Sequence, residues 1–133
     1  MDLSTLSPIA IAAAALVSFL VGGLWYSPIL FARPWMAATG LGEDELRGSA
    51  GRVFGIAFVL SVIIAANLAA FLGRGAGAAW GAGAGALAGV GWVAASVAIT
   101  HLFERRPPVL ILIDGGYQAV SYTLMGLVIG LLQ

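Results

Sequence analysis

Asp114 stands about six residues, or roughly 9 Å, inside a long apolar stretch, and Tyr117, Gln118 and Ser121 follow it at offsets of three, four and seven. On a helix those offsets place a carboxylate, a phenol, an amide and a hydroxyl along one face, so a polar seam runs down an otherwise apolar segment. An ionisable group in such surroundings must pair, protonate or face water. Pairing with Arg33, Arg52 or Arg105 would make Asp114 a strut, and protonation would make it a proton or cation site. Trp92, in the preceding apolar stretch, lies at a matching depth. Its indole N–H needs an acceptor, so Gln118 or Ser121 is expected to approach it.

Other chemistries are poorly supplied. His101 and Glu104 share a helical face at an offset of three, yet His101 is the only histidine and cysteine is absent. Two donors do not make a metal site, so an interfacial ion pair with Arg105 or Arg106 is expected, with no metal and no cofactor. A Ser-His-Asp arrangement would have to use His101 without a nucleophile-elbow sequence. Gly83-x-Gly85 has no strand before it and is no dinucleotide loop. All six basic residues are arginine, which removes Schiff-base chemistry and a phosphate-loop lysine. No basic patch invites nucleic acid. No catalytic residue is therefore assigned, and the chain is not expected to be an enzyme.

The elements that carry these residues follow from the apolar pattern. Of the 133 residues, 61% are hydrophobic and 9% charged, with a mean hydropathy of +1.03, where a soluble domain carries about 25% charged residues. The chain reads as one all-α integral membrane domain: a bundle of four antiparallel transmembrane helices at about 8–26, 53–72, 77–103 and 109–132, with a short interfacial helix at about 29–38. Ser7-Pro8 suits the start of the first span. Trp25 and Tyr26 at its end, with Arg33 and Trp35 in the interfacial segment, read as interface anchors in contact with the lipid bilayer. Glu43 to Arg47 reads as an exposed turn. Asn67, near the end of the second span, is expected to hydrogen-bond a neighbouring helix.

The third span repeats glycine at every fourth position through Gly77, Gly81, Gly85 and Gly89, in the manner of a glycine zipper, and a second small-residue file runs through Gly75, Ala79 and Gly83. Two flat faces suit a central helix. The fourth span adds Gly126 and Gly130. A homo-oligomer through one of these glycine faces is expected. Five arginines flank one set of loops and Arg74 alone the other, which places both termini outside.

Gly23-Leu24-Trp25-Tyr26-Ser27-Pro28, Pro34-Trp35-Met36 and Leu112-Ile113-Asp114-Gly115-Gly116-Tyr117 together resemble a family of small bacterial membrane proteins, the domain of unknown function family 1761. The resemblance covers nearly the whole chain in the family's order. Ala32-Arg33 stands where members often have Gly-Lys, keeping the cation and losing the glycine. It implies four spans and, with the arginine bias, a bacterial inner membrane; it carries no activity or catalytic residues. The residues themselves favour an oligomeric channel or transporter for an ion or small solute along Asp114, Gln118 and Ser121. The alternative is a scaffold subunit of a membrane complex.

Overall fold

The computed structural model describes residues 2–133. Ser7 caps the first helix, α1 (Pro8–Trp25), by accepting the Ala10 N–H at 3.2 Å, and Pro8 fills a position where no N–H partner is needed. After the Ser27-Pro28 break comes the short α2 (Ala32–Thr39), stopped by Gly40 in the left-handed region at φ +76°. The third helix, α3 (Glu43–Leu72), begins at Glu43 rather than at Val53. The acidic run expected as an exposed turn is thus the first turn of this helix, where Glu43, Asp44 and Glu45 complement the unpaired N–H groups. At 30 residues it is roughly 45 Å long, well beyond an apolar layer of about 30 Å, so its first turns project past the lipid. Gly73, Gly75 and Gly77, all at positive φ, turn the chain into α4 (Ala78–Phe103). Between Gly89 and Ala94 this helix winds with π-type pairing. A break at Arg105 to Pro107 leads to α5 (Pro108–Leu132).

All helices among the described residues, and no strand, make this an all-α protein, and α1, α3, α4 and α5 are each long and apolar enough to cross a membrane. It is a multi-pass membrane protein with α2 at one end of the bundle. The buried core is built from small side chains with a few large ones: Ala14, Ala15, Ala65, Ala69, Met125 and Ile129 are fully enclosed.

The centre of the bundle is α5, which packs against every other helix, whereas α4 rests almost wholly on α5. The glycine-rich helix is therefore peripheral, against the expectation that it lies in the middle. Only one of its two flat faces is used. A Cβ added at Gly81 would fall on the Gly126 carbonyl, one at Gly85 on the Tyr122 carbonyl, and one at Gly89 against Tyr122 and the Gln118 backbone. Reciprocally, Gly126 faces the Gly81 carbonyl and Gly130 that of Gly77. The two backbones touch over several turns, which only glycine permits. Around Gly83, Gly75 and Gly91, by contrast, there is open space. Since the chain itself consumes Gly126 and Gly130, that face is not free to join a second copy.

Gln133 closes the end opposite α2. Its side-chain carbonyl accepts the Ser7 N–H at 3.0 Å, and its amide donates to the carbonyls of Ala69 at 2.9 Å and Gly73 at 3.0 Å. One side chain thus joins the start of α1, the end of α3 and the end of α5. Replacing Gln133 with alanine should lower stability by about 1–2 kcal/mol, with hydrogen exchange speeding up first at Ser7 and around Gly73. Unchanged exchange at both places would show that these bonds are not held in the membrane.

Candidate functional site

Asp114 lies in the second turn of α5 and is held from two directions. The Tyr26 hydroxyl donates to Oδ1 at 2.7 Å, and His101 Nε2 lies 2.8 Å from Oδ2. The His101 and Asp114 side chains are 14% and 22% exposed. No arginine reaches Asp114 among the described residues: Arg47 pairs with Glu43 and Arg106 with Glu104, both exposed. The arginine strut is replaced by a Tyr–Asp–His cluster. His101 correspondingly turns away from Glu104, Arg105 and Arg106, because the last turn of α4 packs it toward α5.

Local sequence explains how each member arrives. Trp25 donates its indole N–H to the Ile113 carbonyl at 2.8 Å, and its ring lies where a Cβ on Gly116 would come within 3.0 Å. The Trp25 ring also meets Phe31 at 4.8 Å. Trp25 is therefore a clamp fixing the end of α1 on α5 as well as an aromatic at the helix end. This fixes the next residue, Tyr26, whose ring is flanked edge-on by Trp35 at 5.8 Å and by Tyr117 at 5.5 Å. On the other side Gly115, beside Asp114, admits Ala94 of α4 at ordinary contact distance. That close approach lets His101, seven residues further along α4, meet the carboxylate.

The polar seam continues from Asp114 but faces α1. The Tyr117 hydroxyl donates to the Ser18 carbonyl at 3.3 Å, the hydroxyls of Ser18 and Ser121 lie 2.7 Å apart, and Ser121 lies 3.8 Å from the Met125 sulfur. Ser18 and Ser121 are buried. Two expected members are elsewhere. Gln118 is half-buried with no side-chain hydrogen bond among the described residues, its backbone lying beneath Gly89. Trp92 is 65% exposed, edge-on to Phe71 at 6.3 Å, far from joining the seam. It sits in the π-wound stretch, whose longer pairing turns it off the face that the preceding glycines present to α5. Asn67 donates to Ile63 in its own helix at 2.8 Å instead of to a neighbour. Arg33 is exposed, and Trp35, expected at the lipid interface, is half-buried against Tyr26.

Ser18, Tyr26 and His101 are the partners that the seam required and that reading the chain span by span did not supply. A signal for the first two existed: Ser18, Gly22 and Tyr26 recur at intervals of four, a polar and small face on α1 that matches Asp114, Tyr117 and Ser121.

Beside the cluster, between the α2 end of α1 and the first half of α3, lies a cavity of about 660 Å³. Phe19, Phe54, Trp35 and Met36 contribute apolar wall, and among the described residues Asp114 is the one charged side chain lining it, with Tyr26 and Tyr117 alongside. Its size falls within the range of roughly 300–1,000 Å³ that holds small organic ligands. Among the described residues no three His, Cys, Asp or Glu side chains converge, and His101 with Asp114 offers two donors where a zinc site uses three or four.

Among curated proteins and among solved structures, none matches the chain. A family model described as a protein of unknown function, DUF1761, matches residues 9–130, which contain α1 from its second residue, the whole of α3 and α4, α5 up to Gly130 and the whole Tyr–Asp–His cluster. The chain belongs to the DUF1761 family.

Proposed function

We propose that this membrane protein binds a small, largely apolar solute in the cavity beside Asp114 and carries it across the membrane. The observation that supports this reading is a cavity of ligand size with apolar and aromatic walls and one carboxylate at its edge. A water-filled ion channel would need polar lining along its length, whereas below Tyr117 the seam closes into the direct Ser18–Ser121 contact. The arginine bias favours a cavity mouth on the cytoplasmic side of a bacterial inner membrane, with both termini outside.

A scaffold role would have its natural handle in the projecting first turns of α3, with Glu43, Asp44 and Glu45 exposed. Trp35, by contrast, is occupied as cavity wall.

Gly23 supplies the test, since it lines the cavity and a side chain there meets open space. Proteoliposomes should take up at least one member of a panel of neutral and charged amphiphiles faster than empty vesicles, and Gly23→Leu should reduce that uptake about tenfold or more while melting as the wild type does. Uptake equal to empty vesicles for the whole panel would remove the transport reading.

A further inference from the structure

We infer that the solute is a lipophilic cation and that it exchanges with one proton at the His101–Asp114 pair. This rests on the cavity being the solute site. The charge on its lining comes from Asp114 alone; α1 and α5 add the Tyr26 and Tyr117 hydroxyls, while α2 and α3 bring Trp35, Met36 and Ser49, none of them charged. The ionic groups nearest in sequence, Arg33 on α2, Glu43, Asp44, Glu45, Arg47 and Arg52 on α3 and Glu104, Arg105 and Arg106 after α4, are exposed and outside the lining. The field inside the cavity is therefore set by one carboxylate and whatever proton its imidazole partner shares with it.

A neutral imidazole carrying its hydrogen on Nε2 donates it to the ionised carboxylate oxygen 2.8 Å away, and in the other tautomer that hydrogen bond needs a protonated Asp114. The pair accordingly has two charge states, −1 and 0, that differ by one further proton. His101 Nδ1 is buried and has no partner among the described residues, so one proton-binding atom of the pair is left open by the fold. In the −1 state a monovalent cation against Asp114 brings the site to neutrality. In the 0 state the same cation would leave an uncompensated positive charge in a mainly apolar cavity, which is costly. One proton must leave for each cation that enters, and the reverse on release. Geometry leaves room for the contact: a carboxylate has about four lone-pair sites, and Tyr26 and His101 occupy two of them. The aromatic rings of Tyr26, Trp35 and Phe54 in the lining suit a delocalised or alkylated cation. An anionic solute would meet the carboxylate with the wrong sign.

The test uses purified protein in lipid nanodiscs, with tetraphenylphosphonium as the cationic probe, triphenylphosphine oxide as its neutral counterpart and protein-free discs as blanks. Calorimetry in two buffers of different ionisation enthalpy counts protons. Expected are saturable tetraphenylphosphonium binding that weakens as the pH is lowered, approaching about tenfold per pH unit where the empty site holds the extra proton, release of one proton per cation in that acid range, and loss of binding in Asp114→Asn. The proton count is read on the wild type, so a poorly folding variant does not blunt it. Binding of the neutral probe as tightly as the cation, or cation binding that neither releases a proton nor weakens on acidification at any pH at which the protein stays folded, overturns the inference while leaving the cavity as a solute site. Binding of neither probe overturns the inference and the cavity's role together.

Discussion

Leucine at Gly126 is expected to separate α4 from α5 and to cost more than about 3 kcal/mol, the largest effect foreseen for any single substitution in the chain. The obstacle at this position is backbone. A Cβ there would fall on the Gly81 carbonyl with Gly85 Cα close behind, and neither can rotate aside as a side-chain tip would. Relief requires the two helices to part, which strips dispersion contact from several turns at once. Leucine at Gly83 is the matched control, since nothing lies within 4 Å of that position. It gains helix propensity and faces lipid, so its stability should match or exceed that of the wild type. Thermal unfolding in detergent, followed by circular dichroism, compares the two. If both proteins melt together, the α4–α5 backbone contact is absent in solution.

Alanine at Asp114 should cost about 1–3 kcal/mol, the summed effect of two lost hydrogen bonds at the membrane edge. It removes the acceptor for the Tyr26 hydroxyl and the partner of His101 in one step. His101 Nδ1 already lacks a partner, so the imidazole would be left with neither nitrogen satisfied. Asparagine keeps an acceptor oxygen for Tyr26 and should recover part of the loss. Alanine at the exposed Asp44 should change stability by less than about 0.5 kcal/mol. Equal melting of Asp114→Ala and wild type would mean that water, not protein, satisfies the cluster.

Hydropathy and spacing made the four spans legible, because a lipid-crossing helix is written in a run of apolar residues with few exceptions. The same signal stops where charge begins, which is why α3 was expected to start at Val53. Backbone hydrogen bonding does not stop there, and an acidic first turn prolongs the helix into water. On α5 the spacing separates two faces: Gly126 and Gly130 on one, Asp114, Tyr117 and Ser121 on the other. Which helix met each face was beyond periodicity. The glycine file of α4 met the glycine face, so the polar face was left for α1, and Trp92 was displaced by a change of winding that no residue type announces. His101 was assigned to neighbours in sequence; its partner is 13 residues away across a turn. Local charge bias outweighed, on paper, a contact that only helix packing creates.

The bonds from α1 to α5 set a condition on biogenesis. Tyr26 and Ser18 are made early, and the groups that satisfy them, Asp114 and Ser121, follow 88 and 103 residues later. At about 5–20 residues per second, the first helix waits roughly 5–20 s for these partners. During that interval its serine and tyrosine must be served by water at the membrane surface, by the insertion machinery or by their own backbone carbonyls. The α4–α5 contact, between neighbouring segments, faces no such delay. Helix α5 therefore arrives with α4 and fixes the position of α1, and a ribosome that stalls before Asp114 leaves α1 in the bilayer with its polar face unclaimed.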